Sequence, residues 1–429
     1  MRMDGSFTRR LRGITISFVA AALLVGAVPD SVTAFPTKLS SSGKLDFTYA
    51  SAVKSAGGAG TTSKPESKLF YTGDGIVEPI RWWAVLGSPA SSPAAGVWLW
   101  ELDDHVWQPE ILLPGADAWA KADTLYQGGT LYISLRDNKS AATGNPRVST
   151  LYSMVYLGGD NWGPASGPTT ITTSSPETLT IARDSSGRLW TTYESGNKIV
   201  VGYTAPSGTS FTFTTISKSK VKSDDISAVT AFAGNRIGVF WSDQNAKRNV
   251  FAWRSDSDPV TADWHYETAY GGGVGRCPTK ASALCADDHM NVKVYGDEVF
   301  VAIKSGLNDA SSPAASDPLI SLLHRDDDGD WSASTVSTVA QNATRPIVVL
   351  SPSQSKVWVW ATRGGEVDVW ESSLNTPSFI PSAFTPWVKG VSVNDATSTK
   401  QTATARSGVV VEVSAAGKNQ FWHNEFLSS

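Results

Sequence analysis

Apolar residues along this chain fall into short, evenly recurring strands rather than helical stripes. The segments RWWAVLG (81–87), TLYISL (130–135), RLWTTY (188–193), RIGVFW (236–241), EVFVAI (298–303), KVWVWA (356–361) and GVVVEV (408–413) are β-branched or aromatic runs of strand length. Their middles lie near residues 84, 132, 190, 238, 300, 358 and 410, so successive intervals run from 48 to 62 residues. Most are followed by a second strand and then a turn carrying a tryptophan: Trp107, Trp162, Trp264, Trp331 and Trp387. That spacing fits a four-stranded antiparallel sheet per repeat. Sheets repeated around an axis protect their edges by radial closure, which predicts an all-β chain folded as a seven-bladed β-propeller of four-stranded antiparallel blades. The last repeat runs out at QFWHNEFL, so KLDFTYAS (44–51) is expected to supply the missing outer strand. The turn tryptophans recur at one blade position and are read as packing between blades, whereas Trp82 or Trp83 is a candidate for exposure to a ligand.

The N-terminus changes the picture of where the protein works. Arg9, Arg10 and Arg12 precede the apolar run ITISFVAAALLVGAV, and small residues lead to Ala34. This is the layout of a secretory signal, so residues 1–34 are expected to be removed and 35–429 to form a single secreted propeller domain, monomeric and without a membrane anchor. A net charge of −4 and the lack of a basic stripe argue against nucleic acid as a partner. The two cysteines, Cys277 and Cys285, both lie in RCPTKASALC, and export predicts that they are disulfide-bonded. No zinc, redox or P-loop spacing is present, and no metal or cofactor is expected.

Polar chemistry collects just before the recurring strands, in segments expected to form the innermost strand of each blade. They read KPESKLFY, KADTLY, PETLTIA, SDDISAV, DDHMNVKV, TRPIVVL and TSTKQTA. If the blades are equivalent, Lys68, Asp123, Glu177, Asp225, His289, Asn291, Lys293, Arg345 and Lys400 converge on one mouth of a central channel. Titratable groups of both signs in a concave place mark a candidate ligand site. Within CADDHMNVKV (285–294), alternation predicts His289, Asn291 and Lys293 on the channel face and Met290, Val292 and Val294 between blades.

RDSSGRLW (183–190) resembles the aspartate-box turn of the sialidase-like, BNR-repeat superfamily, with an Asp-to-Gly spacing one residue longer. The wider string of KPESKLFY, PETLTIARDSSGRLW, DDIS, GVFWSDQ, ADDHMNVKV, TRPIVVL and NDATSTKQ is similar to a group of exported bacterial propellers across nearly the whole mature chain. The resemblance implies the fold and carries no activity with it. Sialidases hold a carboxylate with three arginines on separate blades; here Arg345 alone stands at a repeat start, with lysines elsewhere. Propeller polysaccharide lyases use His, Tyr and Arg, types available in His289, Arg345 and Tyr71 or Tyr126. The expectation is a carbohydrate-active protein that recognises, and as a glycoside hydrolase or lyase cleaves, an acidic glycan. Arg345, Lys293, Asn291, Lys400 and Lys68 would bind it, and His289, Glu177, Asp225 and Asp123 would act on it. The alternative is a non-catalytic glycan- or protein-binding propeller.

Overall fold

A computed structural model describes residues 43–48, 60–62, 64–87, 94–118, 120–139, 147–174, 176–218, 220–275, 277, 284–415 and 418–426. The expected signal segment, 1–34, lies outside them. Seven antiparallel sheets follow one another along the chain. Blade I covers 69–112, blade II 121–172, blade III 180–215, blade IV 227–270, blade V 290–338 and blade VI 344–388. Blade VII takes three strands from 394–426 and its fourth from Lys44–Thr48, which pairs antiparallel with Gln420–Phe426, Lys44 opposite His423. The ring is therefore closed by hydrogen bonds between the two ends of the domain. Blade II carries an extra two-residue strand, Asn161–Trp162, paired with Arg147–Gly158. Among the described residues no helix is long and apolar enough to cross a membrane.

The reason the middle strands read as continuous apolar runs is visible in the packing. Each blade lays both of its faces against neighbours, so Arg81–Gly87 and Val409–Ala415 are buried on both sides. Seven apolar layers result, one between each consecutive pair of blades. The layer between blades IV and V joins Phe240 and Phe251 to Met290, Val301 and Leu323. The layer between blades VII and I joins Val410 and Phe421 to Leu69 and Trp82. The turn tryptophans belong to these layers, as expected. Trp162 meets Phe70 and Trp83 of blade I, Trp264 meets Trp190 of blade III, and Trp331 meets Phe240 and Phe251 of blade IV. Trp82 and Trp83 are both buried, their indole N–H groups donating to the Ser407 carbonyl and Thr72 Oγ1. Neither offers a face to a ligand.

The segment RDSSGRLW (183–190) is a turn that locks blade III. Asp184 Oδ1 accepts from the Arg188 N–H at 2.8 Å and the Ser186 hydroxyl at 2.7 Å, and Oδ2 accepts from Trp190 Nε1 at 2.8 Å. Gly187 takes φ +85°, a conformation that explains a glycine there. Cys277 and Cys285 form the expected disulfide, with Cα atoms 5.8 Å apart, against the layer that holds Met290.

Candidate ligand cavity in the central channel

Inner strands present an edge to the channel, and this decides where their side chains go. With both faces covered by neighbouring blades, a polar residue on an inner strand can satisfy the backbone of the next blade. Asp123 does this twice over: Oδ1 accepts from the Ser67 N–H and Oδ2 from the Ile181 N–H of blade III, each at 2.8 Å. Thr180 Oγ1 accepts from the Val229 N–H of blade IV at 3.0 Å, and Asn291 Oδ1 from the Val348 N–H of blade VI at 3.2 Å. An acid, a hydroxyl and an amide thus perform one task, stitching blade II to I and III, blade III to IV and blade V to VI.

The candidate residues form two groups rather than one. The first sits at the starts of the inner strands. Lys64 ion-pairs with Glu177 at 3.0 Å and also with Asp288, so it bridges segments leading into blades III and V. His289 Nδ1 lies 2.5 Å from Asp287 Oδ1 and 2.7 Å from Asp288 Oδ1, and Asp287 also pairs with Lys304 at 2.5 Å. Burial by itself would raise the Asp288 carboxyl. The hydrogen bonds to His289 and Asp287 and the charges of His289 and Lys64 outweigh it and hold that carboxyl well below the usual range. Ion pairs therefore tie this mouth together.

The second group crosses the channel as a buried layer. Lys68 Nζ donates to Glu66 Oε2 at 3.3 Å and to the Ala122 carbonyl at 3.1 Å, and Glu66 Oε1 pairs with Arg136 at 2.9 Å. Burial pushes the Lys68 amine down, partly opposed by Glu66. Lys400 Nζ pairs with Asp123 and donates to the Ile181 carbonyl at 2.6 Å. Lys293 Nζ, from blade V, reaches Ser67 Oγ at 3.2 Å in the lead into blade I. Its amine is pushed down to about 7 by burial and by the charge of Lys400, against a smaller pull from Asp123.

Asp225 and Arg345 join neither group. Asp225 is buried and caps its own turn, accepting from the Lys222 N–H at 2.7 Å and the Gln244 N–H, and burial raises its carboxyl. Arg345, in left-handed backbone at φ +55°, pairs with Asp395 at 2.9 Å and lines a separate recess between blades VI and VII.

Beyond the buried layer the channel opens into a cavity of about 210 Å³, lined by later residues of the inner strands. Phe70 and Tyr126, stacked with ring centroids 5.6 Å apart, contribute an aromatic wall, with Val292 and Val294 across from them. Among the described residues its charged side chains are Arg183, Lys293 and Lys400, with no carboxylate. The alternation expected for 289–294 is accordingly only partial. Met290 is buried between blades IV and V, and Lys293 reaches the channel. Asn291 is spent on blade VI, while Val292 and Val294 pack on the layer and border the cavity as well. An edge-on strand does not have one wet face and one dry face, which is why a period-2 reading divides these residues wrongly.

No family model matches the chain, and no curated protein does. Among solved structures it is similar to the polysaccharide lyase Uly1, at 10% identity over 92% of this chain and 100% of that one, with a TM-score of 0.44. It is also similar to the β-propeller domain of the Trilobed protease from Pyrococcus furiosus, at 10% identity over 86% and 97%, TM-score 0.45. AofleA from Arthrobotrys oligospora follows at 12% identity over 68% and 78%, TM-score 0.42. At these values the likeness carries no argument about activity, and the propeller assignment rests on the strand order of this chain.

Proposed function

We propose that this is an exported propeller that binds, without cleaving, the acidic terminal residue of a glycan in the channel cavity. The observation that supports it is the lining: the titratable side chains Arg183, Lys293 and Lys400 among its described residues are all basic, set among aromatic and aliphatic walls. Such a surface suits a carboxylate or sulfate carried on a sugar ring. The cavity is smaller than the roughly 300–1,000 Å³ of a drug-sized site. A cavity of that size suits a chain end better than the middle of a polymer.

Cleavage is the weaker reading because the carboxylates it needs are engaged elsewhere. Asp123 is fully buried with both oxygens bonded, Asp225 caps a turn, and Glu177 pairs with Lys64. His289 lies among the residues at the strand starts and does not line the cavity. The test is calorimetric titration of oligosaccharides ending in a uronic or sialic acid against their methyl esters. Acid-terminated ligands are expected to bind at least ~10-fold more tightly, the effect of about one charge-assisted hydrogen bond. Equal binding of acid and ester would refute the ligand class. New reducing ends or unsaturated products would refute the claim of binding without cleavage.

A further inference from the structure

A second polar cluster lies away from the channel, where Lys44–Thr48 closes the ring. Asp46 Oδ1 is 2.5 Å from His423 Nδ1 on the adjacent strand. Glu412, on Val409–Ala415, accepts from Trp107 Nε1 of blade I through Oε2 at 2.9 Å. Glu425 Oε1 stands 3.9 Å from His423 Nε2 and pairs on its other side with His105. One ligand atom from each of Asp46, Glu412 and His423 lies within 4.8 Å of the other two. The side chains of all three are fully buried.

Proximity of acids is no evidence of a ligand by itself, but here the buried atoms are also left over. Among the described residues no donor reaches Asp46 Oδ2 or Glu412 Oε1. Glu412 has, among the described residues, no cationic side chain within ion-pair distance; Lys44 and His423 act by charge on Asp46. Bare carboxylate oxygens out of reach of water are among the most costly groups a fold can hold, and native structures fill such places.

We propose that Asp46, Glu412 and His423 bind a divalent transition-type cation, zinc or manganese, that fastens the N-terminal strand to blade VII. Two carboxylates with one imidazole suit those ions, whereas calcium and magnesium take oxygen ligands. The groups around the three fit the role. Glu425 faces the far nitrogen of His423, and Trp107 holds the far oxygen of Glu412, which is how the orientation of ligating side chains is fixed at protein metal sites. The cation would join strands at opposite ends of the domain sequence and so act on the least local contact of the ring.

The rival is a proton shared between Asp46 and Glu412: burial raises both carboxyls, and the charge of Asp46 and a hydrogen bond between the two acids raise Glu412 further. Protein purified without chelator should carry near-stoichiometric zinc or manganese by elemental analysis. Dialysis against a chelator should lower the melting temperature by several degrees, with recovery on adding zinc or manganese but not calcium or magnesium. Glu412→Gln keeps the shape and an acceptor for Trp107, and should abolish the metal-dependent shift. Metal-free protein whose melting temperature ignores both chelator and added metal would overturn the proposal. So would a Glu412→Gln variant as stable as the wild type, since a neutral glutamine replaces a protonated acid and not a cation ligand.

Discussion

Lys293→Met tests the electrostatics of the channel floor most sharply. The lysine is buried, donates to one hydroxyl, Ser67 Oγ, and has the cation Lys400 nearby. A fall of its amine from 10.5 to about 7 corresponds to a penalty of roughly 5 kcal/mol on the charged form. The sign follows from proton binding. The unfolded chain holds this proton more tightly than the native one, so wild-type stability climbs as pH rises from about 7 towards 10.5, and the penalty is complete below 7. Methionine keeps most of the length and removes the charge, at the loss of one hydrogen bond worth about 1 kcal/mol. Lys293→Met should therefore be more stable than wild type at pH 6 by about 3–4 kcal/mol, and the gap should narrow by about 2.5 kcal/mol at pH 9. Urea unfolding of both proteins at a series of pH values gives the gap directly. A gap that does not change with pH would show that Lys293 titrates as a free lysine and that the floor of the cavity is wet.

Other outcomes follow from the packing and from the separation of the two polar groups. Met290→Ala should destabilise by about 2–5 kcal/mol through a cavity between blades IV and V, read by the same denaturation assay. Removing residues 35–48 should lower the melting temperature markedly, because Gln420–Phe426 then ends blade VII as an unpaired edge. Asp123→Asn should cost about 3 kcal/mol, since Lys400 loses its partner inside the channel. His289→Gln should leave the affinity for an acid-terminated ligand within twofold of wild type, as measured by titration, because His289 does not line the cavity.

Much of the architecture was legible in sequence because it is repetitive. Seven runs with turn tryptophans between them give the blades, and the want of a final strand after QFWHNEFL points to the segment at 44–48. Position within a repeat also marked the turn tryptophans as packing residues, while Trp82 and Trp83, allowed as candidates for ligand exposure, are buried as well. The site was less legible for a physical reason. A side chain that stitches blades and one that faces a ligand need the same hydrogen-bonding chemistry, so Asp123 and Asn291 read like site residues until their partners, Ile181 and Val348, are known. Of the residues singled out near the strand starts, Lys293 and Lys400 line the cavity proposed as the ligand site, and His289, Glu177 and Arg345 do not. Arg183, which ends the inner strand of blade III and lines the cavity, was not singled out as a site residue because it falls in the turn segment RDSSGRLW.

The claim that the channel cavity is the ligand site is tested most directly by a crystal structure of the protein with a uronic-acid-terminated oligosaccharide. The account predicts the terminal ring against Phe70 and Tyr126, with its acid group in hydrogen-bond reach of Lys293, Lys400 or Arg183. Ligand seated instead beside Lys64 and His289, or in the recess at Arg345, with the channel cavity holding only water, would contradict it.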